Sequence, residues 1–277
     1  KRRNAVSSFT VCDSVRGVNK ALYTEDTYAE TTSNQYGYIT EFGSNGFTFS
    51  LTNADGLNAS GSTYCTWCWK AGGSSNTFNV DGKGYTTTAA AGITDGSTAL
   101  TGASVNTKAG FSIVTYTGTG SLTTVAHGLN GAPEMIWTKS RSATGSWGVL
   151  ETAVNTTAES RIHLDDNGGY ISYQGYKLWG DTVPTSSVFT VREDTSTNAS
   201  GVTYVAYCWR SIPGYSKIGK YIGNGSTDGT YVHLGFRPAF VLLKRTSASA
   251  SWVLHDYKRA GYNGDNDYFH PDNTQAE

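Results

Sequence analysis

Residues 110–147 read GFSIVTYTGTGSLTTVAHGLNGAPEMIWTKSRSATGSW, and residues 214–252 read GYSKIGKYIGNGSTDGTYVHLGFRPAFVLLKRTSASASW. One residue is inserted near the start of the second copy, after which the register holds without a gap. Tyr116 matches Tyr221, Gly118 matches Gly223, Gly120 matches Gly225, and Leu129, Pro133, Lys139 and Trp147 match Leu234, Pro238, Lys244 and Trp252, always 105 residues on. A fixed internal period has to be read before anything else, because it decides the architecture.

The pattern extends to both sides. Lys1-Arg2 aligns with Lys244-Arg245, Phe9 with Trp252, Asp13 with Asp256 and Arg16 with Arg259, at an offset of 243. A second block, NASGSTYCTWCWK at 58–70, returns as NASGVTYVAYCWR at 198–210. The offsets divide the chain into the C-terminal part of a first unit (1–70), a Gly/Ala/Ser/Thr-rich insertion (71–109), a complete second unit (110–213) and the N-terminal part of a third (214–277). They predict a piece of a longer repetitive polypeptide, with superposable strands at the 105-residue offset.

The class is all-β. Thr, Val, Tyr and Trp, which suit a pleated surface, are frequent, while charged residues make up only 16% and strong helix formers are sparse. Strands are expected at 9–13, 36–42, 47–51, 63–70, 111–117, 123–127, 135–139, 147–151, 161–164, 170–173, 188–192 and 203–210. About eight short strands per 100 residues, split by Gly and Asn/Asp turns, predict tandem antiparallel β-sandwich or jelly-roll-like repeats. The insertion is expected to be ordered at 77–80 and near Tyr85 and irregular elsewhere. No segment has a helical period.

Alternation within the repeated block assigns its faces. Tyr64, Thr66 and Cys68 share one side, as do Tyr204, Ala206 and Cys208. Cys65, Trp67 and Trp69 share the other, as do Val205, Tyr207 and Trp209.

Charge is balanced at 21 basic and 22 acidic residues, so no field attracts nucleic acid or an anionic membrane. No apolar run approaches the roughly 18 residues of a membrane-spanning helix. The four cysteines, Cys12, Cys65, Cys68 and Cys208, are too few for a disulfide framework. Cys65-x-x-Cys68 is not repeated, because Val205 stands where Cys65 would recur, and it predicts neither a bridge nor a metal site.

The remaining chemistry is sparse. His163 to Asn167 reads as a strand running into a turn, and Asn263 to Asp267 has calcium-like oxygen spacing without the downstream Glu. Gly118-Thr-Gly120 joins two strands and is no phosphate loop. Catalytic, metal and cofactor residues are therefore expected to be absent. Five tryptophans, Trp67, Trp69, Trp147, Trp209 and Trp252, are candidates for stacking on sugar rings. Four Asn-x-Ser/Thr sequons, at Asn58, Asn155, Asn198 and Asn224, are candidate glycosylation sites.

The ordered pieces GFSIVTYTGTG, VAHGL, AP, KSR, PTSSVFTV and NASGVTYVAYCW, with DSVRG at Asp13 to Gly17 and GFRPAFVLLKR in the next unit, resemble a tandem repeat domain. That domain belongs to large tail- or fibre-associated virion proteins of aquatic tailed phages and has no established function. The resemblance covers nearly the whole chain and implies a virion appendage, or an extracellular or cell-surface filament, whose partners are adjacent repeats. It supplies no catalytic residues. The rival expectations are a module binding host-surface glycans, which needs a concave aromatic face, and a glycan depolymerase, which needs paired carboxylates about 5–9 Å apart.

Overall fold

A computed structural model of the chain describes residues 1–32, 37–50, 56–73, 76–170, 178–259 and 267–277. Strand accounts for 31% and helix for 2%, so the protein is all-β with several antiparallel sheets. In chain order the strands are β1 (Thr10–Val11), β2 (Lys20–Tyr23), β3 (Thr31–Thr32), β4 (Tyr38–Phe42), β5 (Phe47–Ser50), β6 (Phe78–Val80), β7 (Lys83–Tyr85) and, after the short helix α1 (Thr88–Ala91), β8 (Leu100–Asn106) and β9 (Phe111–Thr117). They continue with β10 (Thr123–Ala126), β11 (Met135–Ser140), β12 (Gly148–Glu151), β13 (Ile162–His163), β14 (Val188–Val191), β15 (Thr203–Trp209), β16 (Phe240–Leu243) and β17 (Val253–Asp256).

The main sheet has the order β13-β12-β11-β15-β9-β8-β6-β7. All its pairings are antiparallel except β6 with β8. β15 lies at its centre, held by β11 on one edge and β9 on the other. The two faces of β15 serve different cores, and its alternation is the one read in the sequence. Tyr204, Ala206 and Cys208 join Val114, Tyr116 and Ile136, covered by the β10–β14 ribbon through Val125, Phe189 and Val191. Val205 and Tyr207 face Ile113, Trp147, Val149, Leu22 and Trp252.

Three departures from the sequence expectations have physical causes. The insertion is part of the main sheet: β8 pairs with β9 along its length, and β6 and β7 extend the edge. Its small residues are a packing requirement. A Cβ on Gly102 would stand 3.0 Å from Val15 Cγ1 and from Thr115 Oγ1. The helix at 88–91 was not legible from periodicity because it is a single turn, capped by the Thr87 hydroxyl and stopped by Gly92 at φ +71°. Finally, 63–70 does not form a full strand. Tyr64 bridges Arg2, and Cys65 N–H donates to Lys1 O at 2.9 Å, but no β9-like neighbour lies on the other edge among the described residues. Tyr36, Leu51, residues 171–173 and the calcium-like stretch from Asn263 fall outside the described residues.

The 105-residue offset holds in β16 and β17. Met135↔Glu151 and Ile136↔Leu150 recur as Phe240↔Asp256 and Val241↔His255. It does not hold for 215–232, which forms no strand where β9 and β10 would recur.

Candidate functional site

The densest chemistry lies where segments 1–32, 139–170 and 244–277 meet. Gly145 N–H donates to Thr27 O at 2.9 Å, Ala250 N–H to Asn167 O at 2.8 Å, and Ser7 N–H to Thr274 O at 3.0 Å. A second set joins the same segments: Glu30 N–H to Arg141 O, Tyr170 N–H to Thr246 O, and Glu277 N–H to Arg3 O. Together these bonds form a cycle in which each segment touches the other two.

Each joint carries the same side-chain arrangement. A lysine folds back on its own segment, with Nζ of Lys1, Lys139 and Lys244 donating to Ser7 O, Gly145 O and Ala250 O at 2.5, 2.5 and 2.6 Å. The same ammonium groups stand over the rings of Phe9, Trp147 and Trp252 at 5.0, 6.0 and 5.5 Å, replacing part of the lost hydration by attraction to the ring face. Burial lowers the lysine pKa values, to about 8 for Lys1 and for Lys139, with Lys244 moved the same way. Two indoles cross the joint: Trp147 Nε1–H donates to Tyr23 O at 2.7 Å, and Trp252 Nε1–H to His163 O at 2.9 Å. Phe9, which has no donor, meets Phe269 edge-on at 5.5 Å.

Carboxylates complete two of the joints. Arg16 and Arg141 both reach Glu30, at 3.1 and 3.0 Å, and Arg259 and Arg3 both reach Glu277. Asp13 is buried, and its Oδ2 accepts from Arg16 Nε at 2.5 Å and from Tyr207 Oη at 2.6 Å. Burial pushes its carboxyl pKa up, but the Arg16 charge and these bonds outweigh it and leave a net lowering. Asp256 repeats the motif with Arg259 at 2.7 Å and Trp67 Nε1 at 3.2 Å. In the second unit Glu151 caps the turn at Ala153 and Val154, and no arginine follows because Val154 holds that position.

These groups are saturated by one another. Among the described residues, no cluster of three or more His, Cys, Asp or Glu is placed to hold a metal ion, and all four cysteines are free thiols. His127 is buried, bonded through Nε2 to Thr185 O at 3.2 Å, and burial pulls its pKa to about 4. His163 faces Asp166 at 3.4 Å at the head of the turn expected there, where Asp166 Oδ1 accepts from Gly168 N–H.

The five candidate tryptophans divide. Trp147 and Trp252 are buried with their indole N–H groups committed, so neither ring is open to a sugar. Trp67, Trp69 and Trp209 belong to one aromatic cluster with Phe111, Trp137 and Phe240, at ring separations of 4.8 to 6.4 Å. Trp69 is 43% exposed. A groove of about 530 Å³ begins beside it, lined by Lys70, Ala71, Asp81, Gly82, Asn106, Lys108, Ala109 and Tyr215. The sequons divide as well. Asn155 and Asn198 are buried and use their amides on Ser160 O and on Ser121 O, whereas Asn58 and Asn224 are exposed.

One further feature lies apart from the joints. Residues 214–239 carry large side chains in the open, with Tyr221 50%, Ile222 87% and Tyr231 85% exposed. The signal was indirect: these are the counterparts of the buried β9 and β10.

A family model described as a domain of unknown function (DUF7483) matches residues 1–277. No curated protein matches the chain. No solved structure matches it.

Proposed function

The chain belongs to the DUF7483 family, and from that premise we propose that it is a non-enzymatic structural protein of tandem β-sandwich-like units that builds an extended appendage. The units are 1–70, 110–213 and 214–277, with 71–109 inserted between the first two. The observation that carries this reading is the cycle of recurrent joints. Lysine, aromatic ring and backbone bonds repeat at the offsets of the sequence, and the main-chain bonds tie each segment to the other two. Repeated main-chain and side-chain joints of one kind suit a scaffold built from similar units. The resemblance to tail- and fibre-associated virion repeats supports a virion appendage, or a comparable extracellular or cell-surface filament, with adjacent repeats as partners. Electron microscopy and sedimentation of the purified chain test the reading. Concentration-dependent linear assemblies are expected, and a strictly monomeric particle across the concentration range would refute it.

A second reading, a host-glycan-binding module, is favoured by exposed Trp69 beside the groove at Lys70 and Tyr215. Stacking platforms next to polar groups suit sugar rings. Glycan-array binding that disappears in Trp69→Ala would support it.

A further inference from the structure

The cycle of joints is a threefold ring made within one chain. Its three segments fold alike: Val11↔Leu22 in the first recurs as Val149↔Ile162 in the middle one and as Leu254↔Phe269 in the last. All three joints run the same way round. The leading strand of each segment donates to the trailing end of another, Gly145 to Thr27, Ala250 to Asn167 and Ser7 to Thr274. Head-to-tail contacts that close after three steps give a threefold ring. Thr24, Leu164 and Pro271 are equivalent by position, and Thr24 Oγ1 donates to Pro271 O at 2.7 Å. Like positions meet in this way only near the axis.

Such a ring poses a choice of seats. The middle segment is fixed, because β12 pairs with β11 of the main sheet. The first and last segments, which flank it, are near-copies. Both open on Lys-Arg, and both carry an Asp–Arg pair, Asp13 with Arg16 and Asp256 with Arg259. Both place a glutamate at the trailing end, Glu30 and Glu277, with side chains only 7% and 9% exposed. Either glutamate fits Arg141 on the leading strand of the middle segment. The indoles do not discriminate, since each meets a main-chain carbonyl at the same position in either seating.

Among the charged joint positions the near-copies differ at one. Arg3, Arg141 and Thr246 are equivalent by position. In the observed seating Arg3 pairs with Glu277, Arg141 pairs with Glu30 at 3.0 Å, and Thr246 O accepts from Tyr170 N–H at 2.8 Å. Two charged joints and one neutral joint are all matched. With the first and last segments exchanged, Glu277 would meet Arg141, but Arg3 would face uncharged Tyr170 and Glu30 would face Thr246. One cross-joint ion pair is then lost, and a guanidinium is left without its carboxylate. Taking the partner from a largely buried charge costs far more than the pair itself is worth.

We propose that this one position, Arg3 against Thr246, assigns the two near-copies to their seats beside the middle segment. The assignment is made within one chain and is independent of whether copies associate.

Exchanging the two residues tests it. In Arg3→Thr/Thr246→Arg protein the native seating keeps one cross-joint ion pair and the exchanged seating gains two, so the seats invert. Paired cysteines report the seating after refolding and oxidation, read as linked peptides by mass spectrometry. Asn167→Cys with Ala250→Cys links in the native seating, and Thr27→Cys with Ala250→Cys links in the exchanged one, since main-chain partners lie within disulfide reach. The 167–250 link is expected to dominate with wild-type joints, and the 27–250 link with the two residues exchanged. A second variant, Tyr170→Glu/Thr246→Arg, makes the three joints alike and should give both links in comparable yield. Exchanged-residue protein that forms only the 167–250 link refutes the assignment, as does a 27–250 link with wild-type joints. Where that protein does not fold, the second variant decides, and a 167–250 link alone refutes the assignment. Failure of both to fold refutes it as well, because each gives every joint charge a partner in at least one seating.

Discussion

Lys139 is fully buried, with its charge placed against a carbonyl and an indole, and among the described residues Asp165 and Asp26 act on it only through their charges. Its pKa falls from 10.5 towards about 8 because burial disfavours the charged form. The sign of the pH effect follows. Between about pH 8 and 10.5 the unfolded chain holds a proton that the folded chain has released, so this residue's contribution to stability rises with pH in that window. Urea titrations of wild type and Lys139→Met at several pH values should show the wild type gaining on the variant from pH 8 to 10.5, and a constant difference would contradict it. Asp13 has a dependence of the same sign in the acid range. Its lowered pKa means that its stabilisation is lost as pH falls through the folded value. Replacing Asp13 by Asn leaves Arg16 buried without its nearest counter-charge, at a cost of about 3–5 kcal/mol by denaturant unfolding. Neither property could be read from the sequence. The offset pairs Asp13 with Asp256, but the Tyr207 hydroxyl on Asp13 and the Arg141 fork on Glu30 come from far along the chain.

At the scale of elements, the same motif is paired with β9 at 198–210 and has no such pairing among the described residues at 58–70, and the two should respond differently to the same substitution. Asn198→Ala removes a buried side chain that bonds Thr119 N–H and Ser121 O in a solvent-facing turn, which costs about 0.5–1.5 kcal/mol per bond lost. Asn58→Ala removes an exposed side chain and changes monomer stability by no more than about 0.5 kcal/mol. Equal losses in chemical denaturation would mean that the two blocks are not in different states. What was legible in the sequence follows the same division. Alternation and offset were enough for β9 to β12, β14 and β15, since each has apolar residues of strand period and a matched copy. The register of β16 on β17 came from the offset alone. Order at 77–80 and near Tyr85, where β6 and β7 stand, was legible, whereas β8 was hidden because Gly, Ala, Ser and Thr also compose loops. Only the packed structure shows that Gly102 is small because Val15 and Thr115 press on it, and that Ala103 is fully buried.

For the whole molecule, the cycle of joints fixes how it should unfold. Segment 1–32 bonds to 139–170 and to 244–277, and those two bond to each other, so no segment can leave without breaking two joints. Two of the joints are charged, through Glu30 and Glu277, while the third has Tyr170 and Thr246 in the same places and relies on Trp252. Trp252 is buried between the second and third segments, with its indole bonded to His163 O. Trp252→Ala removes that ring and bond at a cost of about 3–5 kcal/mol. In an open chain of units the loss would stay local, and 244–277 would melt alone ahead of the rest. In a closed cycle, freeing 244–277 also releases Ser7 from Thr274 and Arg3 from Glu277, so the loss spreads to the N-terminal segment. The expected outcome is a single transition at lower temperature, coincident by tryptophan fluorescence and far-ultraviolet circular dichroism. Native-state hydrogen exchange should give the amides of Ser7, Gly145 and Ala250 a common opening free energy that falls together in Trp252→Ala. Early loss of protection at Ala250 alone would show that the cycle is not a cooperative unit.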